Sequence, residues 1–137
     1  MDLLLINASN KLIYQDLYDE YASIEPPTWA LLLAQSCRSI GFEVSILDTN
    51  AERLNDNESI KRIKSLSVRL ICFVVYGQNV NSSTVNMSGA VRLAKAMKDN
   101  GINSPICFVG SHVSAVPHET LIKTFLIELS GLCHQKP

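Results

Sequence analysis

Apolar and polar positions fall in blocks along this chain, and the blocks recur in a fixed order. Leu3 to Ile6 is a continuous apolar run ending at Asn7-Ala8-Ser9, the pattern of a strand covered on both faces. Phe42-Glu-Val-Ser-Ile-Leu-Asp48 alternates at first, as a strand nearer an edge does. Val68 to Tyr76 is the most apolar run and predicts the sheet centre, and Pro105 to Gly110 predicts a fourth strand. Helical spacing fills the intervals. Thr28 to Ile40 starts behind Pro26-Pro27 and stops at Gly41, which suits a left-handed C-terminal cap. Glu58 to Leu66 sets Ile60 and Ile63 on one side, opposite charges. Ser83 to Asn100 aligns Met87, Ala90, Val91, Ala94 and Met97 and ends at Gly101, and Pro117 opens a last helix to about Leu126.

Strand and helix in repeated alternation require right-handed parallel crossovers with helices on both faces of the sheet. The predicted fold is α/β: a flavodoxin-like (Rossmann-like) doubly wound parallel sheet, with the first strand inside and the order reversing between strands one and three. Leu126 to Leu129 would be a stub of a fifth strand, so residues 1–126 form the domain and 127–137 a truncated or altered tail. No internal repeat or low-complexity tract interrupts the pattern. One connection is long: about twenty residues separate Ala8 from Pro27, where two to six are usual. Tyr14, Tyr18 and Tyr21 stand at helical spacing inside it and predict a short helical flap.

In an open parallel sheet, ligands bind beyond the carboxyl ends of the strands, at the switch point. That rim holds Asn7, Ala8 and Ser9 after strand one. Gly77-Gln78-Asn79-Val80-Asn81-Ser82-Ser83 follows strand three, directly behind Tyr76, and Gly110, Ser111, His112, Val113 and Ser114 follow strand four. The rim residues are mostly small and hydrogen-bonding, and none is a carboxylate, lysine or arginine, which suits a large, polar and nearly neutral ligand. Other site chemistries fit less well. Asn-Ala-Ser-Asn-Lys-Leu stands where a dinucleotide site needs its glycines, although Asp48 could mimic the ribose-binding acid. A Walker loop is absent, and the acids of a phosphoacceptor site are missing from the ends of strands one and three. Ser9 alone is thin support for a flavin phosphate loop. Ser82-Ser83-Thr84 reads as the N-cap of the third helix.

Catalytic candidates are few. His112, His118 and His134 have no helical metal-ligand spacing, and no Cys or Ser has an evident base. Glu119 fits the preference for acids at a helix N-terminus. Composition narrows the picture further. The 137 residues are 47% apolar and 18% charged, enough for one globular core. A net charge of −1 with no basic stripe argues against nucleic acid. Cys37, Cys72, Cys107 and Cys133 lack metal or redox spacing, and three lie in apolar segments as buried reduced thiols. Reduced thiols, no signal-peptide pattern and no membrane-length run together predict a cytoplasmic location.

Two motifs resemble the N-terminal cobalamin-binding domain of the cobalamin-dependent radical SAM enzymes. "PPTWALLLAQSCRSIGFEVSILD", Pro26 to Asp48, follows that family's PPxGLxxLAxxLRxxGxxVxxxD pattern in register, departing at Trp29, Ala30 and Cys37. "VGSHVSAVPHETL", Val109 to Leu121, follows its GGPHxSxxPxExL loop, departing at Val109 and Ser111. The opening apolar strand into an Asn-containing loop agrees, and the resemblance covers residues 2 to about 125. It implies a corrin lying over the rim, with its lower base detached from cobalt and its tail running into the domain. Asn7, Ala8, Ser9, Tyr76 to Asn79 and Gly110 to Ser114 would then form the pocket, and His112 and Pro117 would shape its edge. Bare Gly and Ser backbone would let the ring approach closely. No histidine precedes position 112, so the D-x-H-x-x-G cobalt-ligand motif of related domains is absent. An open lower face would favour cobalt(I), a strong methyl nucleophile. The family's C-x-x-x-C-x-x-C barrel is missing, so an iron–sulfur cluster and S-adenosylmethionine would belong to a separate domain or partner chain, and this chain has no complete catalytic set. From the residues alone, a flavodoxin-like nucleotide- or flavin-binding module and an interaction domain or remnant with an exposed sheet edge remain open alternatives.

Overall fold

The computed structural model describes residues 1–8, 24–76 and 80–122, and of residues 80–83 the backbone alone. Four parallel strands form one sheet: β1 (Leu3–Asn7), β2 (Val44–Asp48), β3 (Leu70–Val74) and β4 (Ile106–Val109), in the order β2-β1-β3-β4. The chain steps one way from β1 to β2 and the other way to β3, so the switch point lies between the carboxyl ends of β1 and β3, as predicted. Of the predicted fold, the four strands and their order are present; the tyrosine flap, the strand-five stub and the tail lie outside the described residues.

The strands are apolar on both sides because helices cover both faces. On one face, α2 (Asp56–Ser65) and α3 (Val80–Asp99) pack over Leu4, Ile6, Ile71, Phe73 and Val75. Ile60 and Ile63 from α2, and Met87, Ala90, Ala94 and Met97 from α3, supply the buried stripe that their spacing predicts. On the other face, α1 (Thr28–Ser39) lays Ala30 and Ala34 against Leu5, Val44, Cys72 and Val74. The tetrapeptide Ile-Cys-Phe-Val occurs in both β3 and β4, and the two copies pair residue for residue. Phe73 therefore stacks on Phe108 at 5.1 Å on one face, and Cys72 neighbours Cys107 on the other.

Helix ends follow local chemistry. α1 closes with Gly41 N donating to the Arg38 carbonyl and Phe42 N to the Cys37 carbonyl, with Gly41 at φ +96°, the left-handed cap expected there. α2 opens two residues before Glu58 with a capping box: Asn55 Oδ1 accepts from Glu58 N, and Glu58 Oε2 accepts from Asn55 N, both at 2.9 Å. Two expectations need correction. α3 starts at Val80, so Ser82 to Thr84 lie within its first turns and not at its cap. Residues 111–115 are not an open loop but a short helix, α4 (Ser111–Ala115), which packs against α3 and precedes further helical turns at 117–122.

Candidate functional site

Because β1 pairs with β3 and β3 with β4, the chain leaving these strands forms one continuous ledge. Ala8, Tyr76, Gly110, Ser111, His112 and Val113 stand on it, with Asn7 at the end of β1. Ser9, Gly77, Gln78 and Asn79 lie outside the described residues. Among the described residues on these three strand ends there is no Asp, Glu, Lys or Arg, so the ledge is neutral, as expected.

Several of its residues are occupied by the chain itself. Asn7 Nδ2 donates to Asp48 Oδ1 at 3.0 Å, and the Asn7 carbonyl accepts from both the backbone N and the hydroxyl of Thr49. Asp48 Oδ1 also accepts from the backbone N–H groups of Asn50 and Ala51. Asn7 thus knots β1 to the end of β2. Asp48 is buried, and its Oδ2 has no partner among the described residues. Asp48 is therefore a structural anchor of this corner, which its place at the end of β2 did not by itself disclose.

Tyr76 is half-buried and stacks on Trp29 at the start of α1, ring centroids 4.8 Å apart and planes at 25°. Its carbonyl accepts from Asn86 Nδ2 of α3. Trp29, exposed over half its surface, brings an aromatic face to the rim from the opposite side of the sheet. Nothing in its position within an apolar helix distinguished it from a core residue.

Gly110 is buried, at φ +153°, against the backbone of Val75; a Cβ there would overlap the Val75 carbonyl oxygen. The requirement for glycine at 110 comes from the meeting of β3 and β4, not from an open ledge. The Gly110 carbonyl then accepts from the backbone N and the hydroxyl of Ser114, so Ser114 closes the first turn of α4. His112 is half-buried, with Nδ1 and Thr84 Oγ1 sharing a hydrogen bond at 3.0 Å that ties α4 to α3. Val113 packs on the larger core, and Pro117 and His118 are exposed.

Among the described residues no group of three His, Cys, Asp or Glu is placed to hold a metal ion, and no helix is long and apolar enough to cross a membrane. A shallow groove of about 370 Å³ between Ile63–Val68 and Gly101–Ser104 lies at the amino ends of β3 and β4, away from the switch point. Among the described residues the rim offers hydrogen-bonding groups and a stacked aromatic pair but no acid–base pair. Compared with known protein families, the chain matches the B12 binding domain over residues 14–128. A search of the curated proteins and a search of the solved structures each returned no match.

Proposed function

This chain belongs to the B12 binding domain family, a cobalamin-binding family, and on that premise we propose that it is the cobalamin-carrying module of a radical SAM-type enzyme. The observation that carries the reading is the neutral ledge over β1, β3 and β4 at the sheet's switch point. Open α/β sheets bind ligands there, and a corrin with uncharged amide arms needs hydrogen-bonding groups without fixed charge. The residues present fit such a group. Trp29 and Tyr76 offer an aromatic edge, and Ala8, Ser111 and His112 border the ledge with small or polar side chains, with Val113 packed beneath it and Pro117 beyond them. Ser9, Gly77, Gln78 and Asn79 extend the same pocket in this reading. For a nucleotide or flavin the sequence after β1 lacks the glycine-rich turn, and Ser9 alone is thin support for a phosphate loop.

In this proposal the cofactor would bind with its lower base off cobalt, and no histidine of a D-x-H-x-x-G motif would take its place. When bound, cobalamin would supply a cobalt centre able to carry a methyl group; the chain's own residues at the ledge would bind and orient it. The hydrogen bond shared by Thr84 Oγ1 and His112 Nδ1 supports His112 as a fixed edge of such a pocket. The iron–sulfur barrel belongs to another domain or chain.

Loading the protein with hydroxocobalamin, reducing it to cobalt(II) and recording the electron paramagnetic resonance spectrum tests the binding mode. The expected spectrum lacks nitrogen splitting on the cobalt lines; splitting from an axial nitrogen would overturn the base-detached mode. Activity after adding a radical SAM chain encoded alongside would support the wider assignment, and an adjacent mutase subunit in its place would contradict it.

A further inference from the structure

Cys72 of β3 and Cys107 of β4 face each other directly across the strand ladder. Both turn toward α1 in the smaller core, which Cys37 reaches from α1, and all three are free thiols. Adjacent strands lie about 4.8 Å apart, which places facing Cα atoms inside the roughly 4.4–6.8 Å span of a disulfide. Cβ atoms at that same spacing exceed the roughly 3.5–4.5 Å that a relaxed bridge prefers, so a bond here would be strained and easily reduced. Cys72 is buried, whereas Cys107 is half-buried on β4, the edge strand of the described sheet. Hydrogen bonding with Cys72 lowers the Cys107 thiol below its ordinary value, while the same contact and burial raise Cys72. Burial and edge position set the roles: half-buried Cys107 on the edge strand is the nucleophile, and buried Cys72 is the resolving thiol.

We propose that Cys72 and Cys107 form a reversible dithiol–disulfide pair, oxidised by a low-molecular-weight disulfide such as glutathione disulfide. Cys107 loses its proton to water, and its thiolate attacks one sulfur of the oxidant, releasing the first glutathione thiolate. Cys72 gives its proton to that thiolate and attacks the Cys107 sulfur of the mixed disulfide, expelling the second glutathione thiolate, which takes up the proton first lost to water. Two electrons and two protons pass to the oxidant, leaving one protein disulfide and two glutathione thiols. The bond would clamp β3 to β4 beneath the chain ends that carry Tyr76 and Gly110. The proposal stands whatever ligand the rim binds.

Glutathione disulfide added to the wild-type protein, followed by digestion without reductant and peptide mapping, tests it. A Cys72–Cys107 linked peptide that disappears on treatment with dithiothreitol is expected. In Cys72→Ala, the glutathione adduct should instead accumulate on Cys107. A C37S/C133S protein should still lose both remaining thiols. Persistence of both thiols, a stable glutathione adduct on Cys107 while Cys72 is present, or linkage of Cys107 to Cys37 would overturn the proposal. The wild-type map decides it even where a variant does not fold.

Discussion

Gly110 lies so close to Val75 that the two backbones leave no room for a side chain between them. β3 and β4 come together at this point, where Val75 N donates to the Val109 carbonyl at 2.7 Å. The glycine in the histidine-containing motif is thus a packing requirement of the scaffold beneath the site.

Gly110→Ala should therefore destabilise the fold itself. The cost combines an unfavourable φ with a backbone displacement, roughly 2–4 kcal/mol. Urea unfolding at constant slope would show the lowered midpoint; an unchanged midpoint would mean that the ends of β3 and β4 separate freely.

Asp48 holds three donors on one oxygen: Asn7 Nδ2 and the backbone N–H groups of Asn50 and Ala51. Asp48→Ala leaves all three without that acceptor and should cost about 1–3 kcal/mol. Asp48→Asn keeps the Oδ1 acceptor and should cost less. Equal losses in the two variants, measured by equilibrium unfolding, would show that the carboxylate charge matters more than the hydrogen bonds.

At the other end of the sheet, the Glu43 backbone N–H, donating to Asp2, holds the Asp2 carboxyl below its ordinary value; Arg69 adds to the effect. A depressed folded-state value stabilises the protein above the unfolded value, and that contribution is lost as pH falls through the folded one. Asp2→Asn should therefore be less stable than wild type near neutrality, and the gap should close in strong acid. Urea midpoints of both proteins at neutral and acid pH check the sign. A gap that widens on acidification would contradict it.

Trp29 is the sole tryptophan, and its ring stacks on Tyr76 at the rim. A bound corrin absorbs near the tryptophan emission band and would lie beside it. Hydroxocobalamin should therefore quench the fluorescence saturably, and the quenching should reverse on dialysis only as cobalt leaves. Linear, unsaturable loss of emission would indicate optical filtering without binding.

The strand runs were legible because both sheet faces are covered, which makes each strand apolar throughout. Gly41 and Gly101 marked helix ends because each follows the last apolar position of its stripe. α4 escaped because five residues are too few to show a helical period, and its serines and histidine read as loop chemistry. The start of α3 was misplaced because Asn and Ser favour caps as readily as first turns. Side-chain pairings such as Asn7 with Asp48 and Trp29 with Tyr76 depend on three-dimensional position, which spacing along the chain does not specify. The Cys72–Cys107 juxtaposition was hidden in a different way: the shared Ile-Cys-Phe-Val run is too short to register as a repeat until the strands are aligned.

The most direct test of the cobalamin reading is cobalt content after gel filtration of the protein mixed with excess hydroxocobalamin. Co-elution of about one cobalamin per chain, with a visible spectrum shifted from that of the free cofactor, is the predicted result. A colourless protein peak with all cobalamin in the small-molecule fraction would contradict it.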